Sequence, residues 1–234
     1  MQKISVPLKN KQASDPNSAS SFLAAKPTGA DHLFMPEDHM EALYVSLNPF
    51  VRFVHQNRIE SIAKELPQKS GLKILDAGCG EGHLLETCFK KYSGNQYYGI
   101  DITEIALEKA RKRCSLSQFK RANLSSIGFE SEFFDVVMCT EVIEHVIDYQ
   151  VVLNELKRAL KKGGFFLITF PNEFLWTVSR FVLRRDPVKV PDHVNSFNPS
   201  QMKSHVNLEM IKQIQLPFNL PFFMSLGSLM KFKK

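Results

Sequence analysis

The sequence is short of tryptophan, of paired cysteines and of long apolar runs. One tryptophan stands against nineteen phenylalanines, which favours a phenylalanine-rich core or an apolar substrate pocket. The four cysteines show no CxxC spacing, so the sequence predicts reduced, buried thiols and neither a disulfide framework nor a zinc site. No apolar run approaches the ~20 residues that span a bilayer, and no apolar signal-peptide core precedes the first periodic segment. We therefore expect a soluble, cytoplasmic protein.

Size and charge set wide limits. The 234 residues suffice for one α/β domain of ordinary size with some appended structure. Hydrophobic residues make up 44% and charged residues 23%, as in typical globular proteins. The formal net charge of +6 allows an anionic substrate or nucleic acid as partner and favours neither strongly.

The N-terminal part of the chain divides into an arm and a helical region. Residues 1–30 are rich in Ser, Lys, Asn and Pro and lack periodicity, which predicts a flexible arm. Residues 31–234 are predicted to form a single domain. From Pro36 to Leu66 apolar residues recur at helical spacing, and Pro49 interrupts the pattern, so two helices are expected there.

From Gly71 onward, short apolar segments alternate with segments of helical periodicity. Five strands are predicted, in LKILDAG, QYYGIDI, SQFKRANL, EFFDVVMC and FFLITFPN. Helices are predicted after the first, second and fourth of them. Alternation of this kind indicates an α/β fold in which a doubly wound, mostly parallel sheet carries helices on both faces.

The segment after Pro171 is less regular. Residues 172–195 are aromatic and basic, and we predict irregular structure there, with an amphipathic lid helix as the alternative. A helix is predicted in NPSQMKSHV, with Ser200 near its N-cap. The chain from Glu209 onward predicts two strands that form an antiparallel hairpin at one edge of the sheet.

A glycine-rich turn, ILDAGCGEGHLL, is the most informative segment. Glycines let a backbone approach a ligand closely, but many turns with this spacing bind nothing. The third glycine follows the first by four residues, not the five of a dinucleotide fingerprint. Asp76 would oppose a pyrophosphate and suit a cation, whereas Asp101 ends the second strand, where a carboxylate can accept ribose hydroxyls. The implied ligand has a ribose, a positive amino end and no phosphate.

These segments together resemble the class I S-adenosylmethionine-dependent methyltransferases. LDAGCGEG resembles the first motif of that family, GIDI its acidic second-strand motif, FDVVMCTEVIEHV its fourth-strand motif and LKKGGFFLITFPN its fifth-strand motif. The resemblance covers about residues 72–172. It implies a seven-stranded Rossmann-like sheet with N-terminal helices, S-adenosylmethionine as cofactor, and an acceptor lid at about residues 173–200.

The resemblance also implies roles for individual residues. Asp76 would contact the amino group of the cofactor, and Asp101 its ribose hydroxyls. A narrower resemblance to the ubiquinone-biosynthesis O-methyltransferases places Arg58 on a helix that covers the cofactor carboxylate, unless it is a solvated helix arginine. The remaining residues implied to bind the cofactor are Gly78, Cys79, Gly80, Gly82, Ile102, Asn123, Leu124 and Thr140.

The stretch CTEVIEHV admits three interpretations. In the first, Glu141 and Glu144 favour a helix N-terminus through the helix dipole, and His145 lines the cleft. In the second, Glu141, Glu144 and His145 hold Mg²⁺ or a similar ion, with His193 as a further ligand. Both the ubiquinone O-methyltransferases and the small-RNA terminal ribose methyltransferases are similar to this sequence in the ExxEH element. In the third, His145 is a catalytic general base without a metal.

The sequence as a whole predicts a methyltransferase that acts on a small-molecule acceptor, at a hydroxyl oxygen. A terminal ribose methyltransferase acting on RNA and a non-catalytic regulatory protein that binds the cofactor are the alternatives. Neither the acceptor nor the oligomeric state follows from the sequence.

Overall fold

The computed structural model describes residues 43–184, 188–190 and 192–234. The predicted arm, residues 1–30, lies outside the described residues, and so do residues 36–42 of the helix predicted before Pro49; residues 43–44 are helical. Among the residues described, no helix is both long and apolar enough to cross a membrane.

Seven strands form one sheet in the order β3-β2-β1-β4-β5-β7-β6. The first five strands pair in parallel, and β7 pairs antiparallel with both β5 and β6. The predicted seven-stranded, mostly parallel sheet and its antiparallel hairpin are thus confirmed, and the complete sheet is mixed. The strands are β1 Lys73–Ala77, β2 Gln96–Asp101, β3 Gln118–Arg121, β4 Phe134–Thr140, β5 Leu160–Pro171, β6 Glu209–Leu216 and β7 Gly227–Lys233.

Helices cover both faces of the sheet. They are α1 Pro49–Lys64, α2 His83–Lys91, α3 Glu104–Arg113, α4 Tyr149–Ala159, α5 Glu173–Val182 and α6 Pro199–Val206. Apolar residues of α1, α2 and α3 pack in the hydrophobic cluster on one face, and those of α4 and α6 pack in the cluster on the other. Strand β4 contributes to both clusters, because successive side chains of a strand point to opposite faces. Val136 and Met138 lie on the first face, Val137 and Cys139 on the second.

Two local predictions are wrong. Residues 172–195 are not irregular throughout, since the alternative prediction, a helix, is found there as α5. Its N-cap Asn172 accepts a hydrogen bond from the backbone N–H of Leu175. The helix after β4 does not start near Glu141 either. A single turn of 3₁₀ helix, Ile143–His145, follows the strand, and α4 begins only at Tyr149. The helix-dipole interpretation of Glu141 and Glu144 therefore fails.

Candidate active site

The turn after β1 is built from three glycines in the left-handed backbone region. Their φ angles are 80° at Gly78, 50° at Gly80 and 82° at Gly82. A Cβ atom on Gly78 would lie 2.4 Å from Cγ2 of Val142, and one on Gly82 would lie 3.1 Å from Cβ of Ala110. A Cβ on Gly80 would meet no atom of the described residues within 4 Å. Packing thus requires two of the glycines, whereas Gly80 faces open space from which a ligand can approach the backbone.

The carboxylate of Asp101, at the end of β2, closes this turn. Its Oδ2 accepts a hydrogen bond from the backbone N–H of Gly80 at 2.9 Å, and its Oδ1 accepts one from Thr103 at 2.9 Å. Burial raises the pKa of Asp101, although the N–H groups of Thr103 and Gly80 oppose that shift. Each carboxylate oxygen keeps a second lone pair. The backbone therefore fixes an acceptor group that can still bind two hydroxyls.

Asp76, in β1, is a buried carboxyl group with spare capacity. It is 1% exposed, and its Oδ1 has no hydrogen-bond partner among the residues described. Burial, and secondarily the charge of Asp101, raise the pKa of Asp76 to about 7. Burial likewise raises the pKa of the neighbouring Cys79 thiol, which stays protonated. Because an unsatisfied buried acceptor costs about 1–3 kcal/mol, Asp76 favours a ligand with a cationic donor.

The other residues predicted to line a cofactor pocket lie at the same edge of the sheet. Ile102 and Thr140, half-buried, stand at the carboxyl ends of β2 and β4. The side-chain oxygen of Asn123 accepts hydrogen bonds from both N–H and Oγ of Ser125, each at 2.9 Å. Since that oxygen is engaged within its own turn, the backbone of Leu124 is the better candidate for contact with an adenine amino group.

Arg58 reaches from α1 to the residue that follows β4. Its Nη1 lies 3.1 Å from Oε2 of Glu141, and its side chain also bonds to that of Tyr44. Burial lowers the pKa of Arg58, but Glu141 and Tyr44 outweigh that effect and raise it. The other oxygen of Glu141 accepts a hydrogen bond from Oγ1 of Thr169 at 2.9 Å. Both oxygens of Glu141 are therefore engaged, and Arg58 is no solvated helix arginine.

A group of three potential ligands lies beside this ion pair. Glu144, His145 and His193 each offer one ligand atom, and these atoms lie within 4.8 Å of one another. Nδ1 of His145 lies 3.0 Å from the carbonyl oxygen of Asp192, and Nδ1 of His193 lies 2.6 Å from Oε1 of Glu173. Because each Nδ1 donates to an oxygen, each neutral ring keeps a lone pair on Nε2. Of the four predicted metal ligands, the structure brings these three together, whereas the fourth, Glu141, forms an ion pair with Arg58.

Burial and neighbouring charges disfavour the charged forms of Glu144 and His145. Glu144 is 1% exposed, and neither of its carboxylate oxygens has a hydrogen-bond partner in the part of the chain that the structure describes. Burial and the neighbouring charge of Glu141 raise the pKa of Glu144 well above its ordinary value. Burial, and then the proximity of His193, lower the pKa of His145. A cationic ligand would reverse the shift at Glu144, since it stabilises the carboxylate.

Comparison with known proteins identifies the family of this chain. Residues 75–168 match the family described as a methyltransferase domain. The ubiquinone biosynthesis O-methyltransferase of Leptothrix cholodnii is 30% identical over 179 residues, which are 71% of this chain and 72% of that protein. The chain belongs to the class I S-adenosylmethionine-dependent methyltransferases. Membership implies S-adenosylmethionine as the cofactor of this methyltransferase.

Further relatives agree with the assignment. The mitochondrial ubiquinone biosynthesis O-methyltransferase of Homo sapiens is 32% identical over 170 residues, which are 68% of this methyltransferase but 44% of the human protein. A protein of Pyrococcus horikoshii OT3 shares the fold with a TM-score of 0.67 and 18% identity, covering 86% of this chain and 99% of that one. A TehB-like S-adenosylmethionine-dependent methyltransferase of Corynebacterium glutamicum has a TM-score of 0.57 at 20% identity, covering 76% of this chain and 87% of that one. The two structures show the fold alone.

Three residues of the site were not foreseen. Tyr44 bonds Arg58 and stacks on the ring of His83, with ring centroids 4.1 Å apart. Thr169 orients Glu141, and Glu173 orients His193. A threonine near the end of β5 is a weak indication of such a role, because β5 adjoins β4 in the predicted sheet. For Glu173, twenty residues before its partner, the sequence of the methyltransferase carries no indication.

An apolar pocket lies between α1 and α5. The pocket opens to solvent, and its empty volume of about 410 Å³ includes part of that open space. His55 lines it, one helical turn before Arg58, and Arg180 adds a positive charge. Its other lining residues are Leu43, Phe50, Val51, Val54, Trp176, Ser179, Leu183 and Leu226. The predicted lid segment and the helix that carries Arg58 thus enclose a pocket of mainly apolar character.

Proposed function

We propose that this methyltransferase transfers a methyl group from S-adenosylmethionine to a hydroxyl oxygen of a small-molecule acceptor. The observation that carries the proposal is the group formed by Glu144, His145 and His193. Glu144 and His145 lie in the 3₁₀ turn after β4, and Gly78 of the cofactor turn packs against Val142, two residues before Glu144. Carboxylate and imidazole groups at this position can bind and activate a hydroxyl beside the methyl donor.

The residues present fit the cofactor. The partnerless oxygen of buried Asp76 suits its ammonium group, and the fixed carboxylate of Asp101 suits its ribose hydroxyls. The open space at Gly80 admits the ligand to the backbone. The guanidinium of Arg58 would bind the carboxylate in the amino-acid part of the cofactor. We assign these four residues to cofactor binding, with Leu124 contacting the adenine.

The residues present also fit a divalent metal ion. Glu144 has two buried oxygens without partners among the described residues, and both imidazoles keep Nε2 as an acceptor. One carboxylate with two imidazoles suits borderline ions such as Mn²⁺ or Zn²⁺ better than Mg²⁺, which prefers oxygen ligands. We propose Glu144, His145 and His193 as the protein ligands. Asp192 and Glu173 would position the two rings.

The chemistry divides between the bound groups and the chain. When bound, the cofactor supplies an activated methyl group and the ion supplies Lewis acidity toward the acceptor hydroxyl. The chain positions the reactants, which accounts for much of the acceleration in an in-line displacement. If no ion binds, His145 takes the hydroxyl proton on Nε2, since its lowered pKa keeps the ring neutral and Asp192 holds its Nδ1 proton.

The pocket between α1 and α5 is the proposed acceptor site. Its apolar lining and the charge of Arg180 suit an apolar acceptor with an anionic group. The similarity to ubiquinone biosynthesis O-methyltransferases supports transfer to oxygen. Trp176 and Phe50 line this pocket and would contact the acceptor.

The test is transfer of labelled methyl from S-adenosylmethionine into cell extract, fractionated into lipid, small molecules, RNA and protein. We expect label in lipid or small molecules, its loss with EDTA, and its recovery with Mn²⁺. Glu144→Gln should abolish transfer. The matched control His205→Ala, on α6 where the ring contacts Tyr149 and Phe197, should retain it.

Each other outcome has a defined meaning. Methyl transfer that EDTA does not reduce would contradict the proposed metal site and would favour His145 as the general base. Label in RNA would favour the terminal ribose methyltransferase. No label in any fraction, together with measurable binding of S-adenosylhomocysteine, would favour a regulatory protein that binds the cofactor without chemistry.

A further inference from the structure

We infer that Tyr44 is a positioning residue of the cofactor site: it holds Arg58 beside the glycine turn, so that the site favours ligands that carry the amino-acid part of the cofactor. The inference rests on the proposed function, because it takes Arg58 to bind the cofactor carboxylate. It assigns a role to a residue that lies before α1, outside every sequence motif of the site.

The ring of Tyr44 is packed against two other rings. The residue is 8% exposed and stacks on the ring of His83, with ring centroids 4.1 Å apart and planes at 27°. The ring of His55 also meets it edge to face, with centroids 5.9 Å apart. Since His55 lines the acceptor pocket, Tyr44 contacts both the wall of that pocket and the residue that follows the glycine turn.

His83 is attached to the glycine turn. It follows Gly82 directly and is the first residue of α2. Its Nε2 lies 3.4 Å from Oε2 of Glu81, whose other carboxylate oxygen accepts a hydrogen bond from Nζ of Lys109 at 3.1 Å. Because aromatic rings that stack restrict each other's position, the ring of Tyr44 takes its place from the turn.

The hydroxyl group of Tyr44 reaches Arg58. A guanidinium only donates hydrogen bonds, so the phenol oxygen accepts one from it. The second described partner of the guanidinium is Glu141, with Nη1 3.1 Å from Oε2. Since a guanidinium has five N–H donors, these two partners orient Arg58 and leave donors for a further carboxylate.

The consequence concerns the amino-acid part of the cofactor. The proposed function places its ammonium group at Asp76 and its carboxylate at Arg58, and Tyr44 ties Arg58 to the turn. Without the hydroxyl group, Arg58 keeps fewer partners and more rotamer freedom, which a bound carboxylate has to remove. The loss of affinity should therefore fall on ligands with that carboxylate and spare the adenosine part.

The experiment measures binding of S-adenosylhomocysteine and of 5′-methylthioadenosine, which lacks the amino-acid part, by isothermal titration calorimetry on the full chain. Tyr44→Phe keeps the ring on His83 and removes the hydroxyl group. We expect S-adenosylhomocysteine to bind about tenfold more weakly, as for loss of a hydrogen bond to a charged group. The affinity for methylthioadenosine should stay unchanged. The matched control is Tyr98→Phe in β2, where a buried tyrosine donates to Oε1 of Gln96 at 3.1 Å; it should leave both affinities unchanged.

A double-mutant cycle shows whether Tyr44 acts through Arg58. Arg58→Met alone should weaken binding of S-adenosylhomocysteine at least about tenfold and spare methylthioadenosine. In the Arg58→Met background, Tyr44→Phe should cause no further loss, since the guanidinium on which the hydroxyl group acts is gone. A merely structural role would give the same loss in both backgrounds and for both ligands.

The outcomes separate this inference from the proposed function. A loss specific to S-adenosylhomocysteine in Arg58→Met, but not in Tyr44→Phe, would overturn the role of Tyr44 and leave the assignment of Arg58 standing. Equal losses for both ligands in Tyr44→Phe would overturn that role as well. No ligand-specific loss in Arg58→Met would overturn its assignment to the cofactor carboxylate and the role of Tyr44 with it. If Arg58→Met fails to fold, the comparison of the two ligands on Tyr44→Phe still decides.

Discussion

Two acidic groups lie at the carboxyl edge of the sheet, one at the end of β2 and one after β4, and they differ in how far the chain itself satisfies them. Both oxygens of Asp101 accept backbone N–H groups, whereas neither oxygen of Glu144 has a partner within the described residues. The first group is built by backbone and is fixed before a ligand arrives. The second is built by side chains from separate segments, and its burial carries an energetic cost that a cation offsets. The cofactor site around Asp101 should therefore keep its geometry without a ligand. The arrangement around Glu144, after β4, should depend on a bound cation.

The largest effect is expected from Asp101→Ala, which removes the satisfied carboxylate. The substitution deletes the acceptor for the ribose hydroxyls and releases the N–H groups of Gly80 and Thr103. With charged hydrogen bonds contributing about 1.5–3 kcal/mol each, the affinity for S-adenosylhomocysteine should fall at least about a hundredfold. Isothermal titration calorimetry measures it, with circular dichroism to confirm folding. An unchanged Kd would mean that Asp101 does not hold the ribose.

A pair of alanine substitutions in the turn separates packing from ligand contact. Gly78→Ala combines a positive φ with a Cβ 2.4 Å from Val142, so we expect a loss of about 3 kcal/mol in the free energy of unfolding. Gly80→Ala meets open space and should lose about 1 kcal/mol, yet weaken cofactor binding. Urea denaturation and calorimetry on both variants check the contrast. Equal losses of stability would contradict it.

Glu144→Gln tests the unsatisfied group. The folded-state pKa of Glu144 is raised, so its ionisation opposes folding, and this cost appears as pH rises above the ordinary glutamate range. In EDTA, the variant should exceed the wild type in stability by about 1–3 kcal/mol at pH 8. The advantage should vanish near pH 4.5. Thermal melts at both values measure it, and a variant that is less stable at pH 8 would refute the account.

The smallest effect concerns the pH dependence of cofactor affinity. Asp76 has a pKa of about 7 without ligand, and a cationic ligand needs the carboxylate. Affinity for S-adenosylhomocysteine should therefore be constant above pH 7 and fall by up to about tenfold per unit below it. Asp76→Asn should bind more weakly at pH 8 and show a flatter profile. If wild type and variant have parallel profiles between pH 5.5 and 8.5, another group is responsible.

The sequence predicts the site around Asp101, whose oxygens both accept hydrogen bonds, far better than the site around Glu144, whose oxygens have no partner among the described residues. The glycine turn is local, since Gly78, Gly80 and Gly82 sit within five residues and Asp101 ends the next strand. Parallel pairing of β1 with β2 then brings them together, which a strand-helix-strand pattern already implies. The number of strands follows from the family resemblance, and the final hairpin from periodicity.

The arrangement of side chains after β4 depends on contacts between segments that are distant in sequence. Hydrophobic periodicity does not encode such contacts. Arg58 and Glu141 are separated by 83 positions, and which of two acids an arginine selects depends on the packing of α1. The sequence does indicate His193 as a ligand, but not Glu173 behind it. The sequence predicts helix α5 only as the alternative to irregular structure; the apolar residues of this helix are largely exposed, with Phe174 and Phe181 at 74% and 70%. Its composition therefore resembles that of a binding loop.

The position of β7 has a consequence for how the chain reaches its native state. This strand is the last in sequence, yet it lies inside the sheet, between β5 and β6. During synthesis β5 therefore has an open edge until about sixty further residues have left the ribosome. Unpaired strand edges invite association between nascent chains.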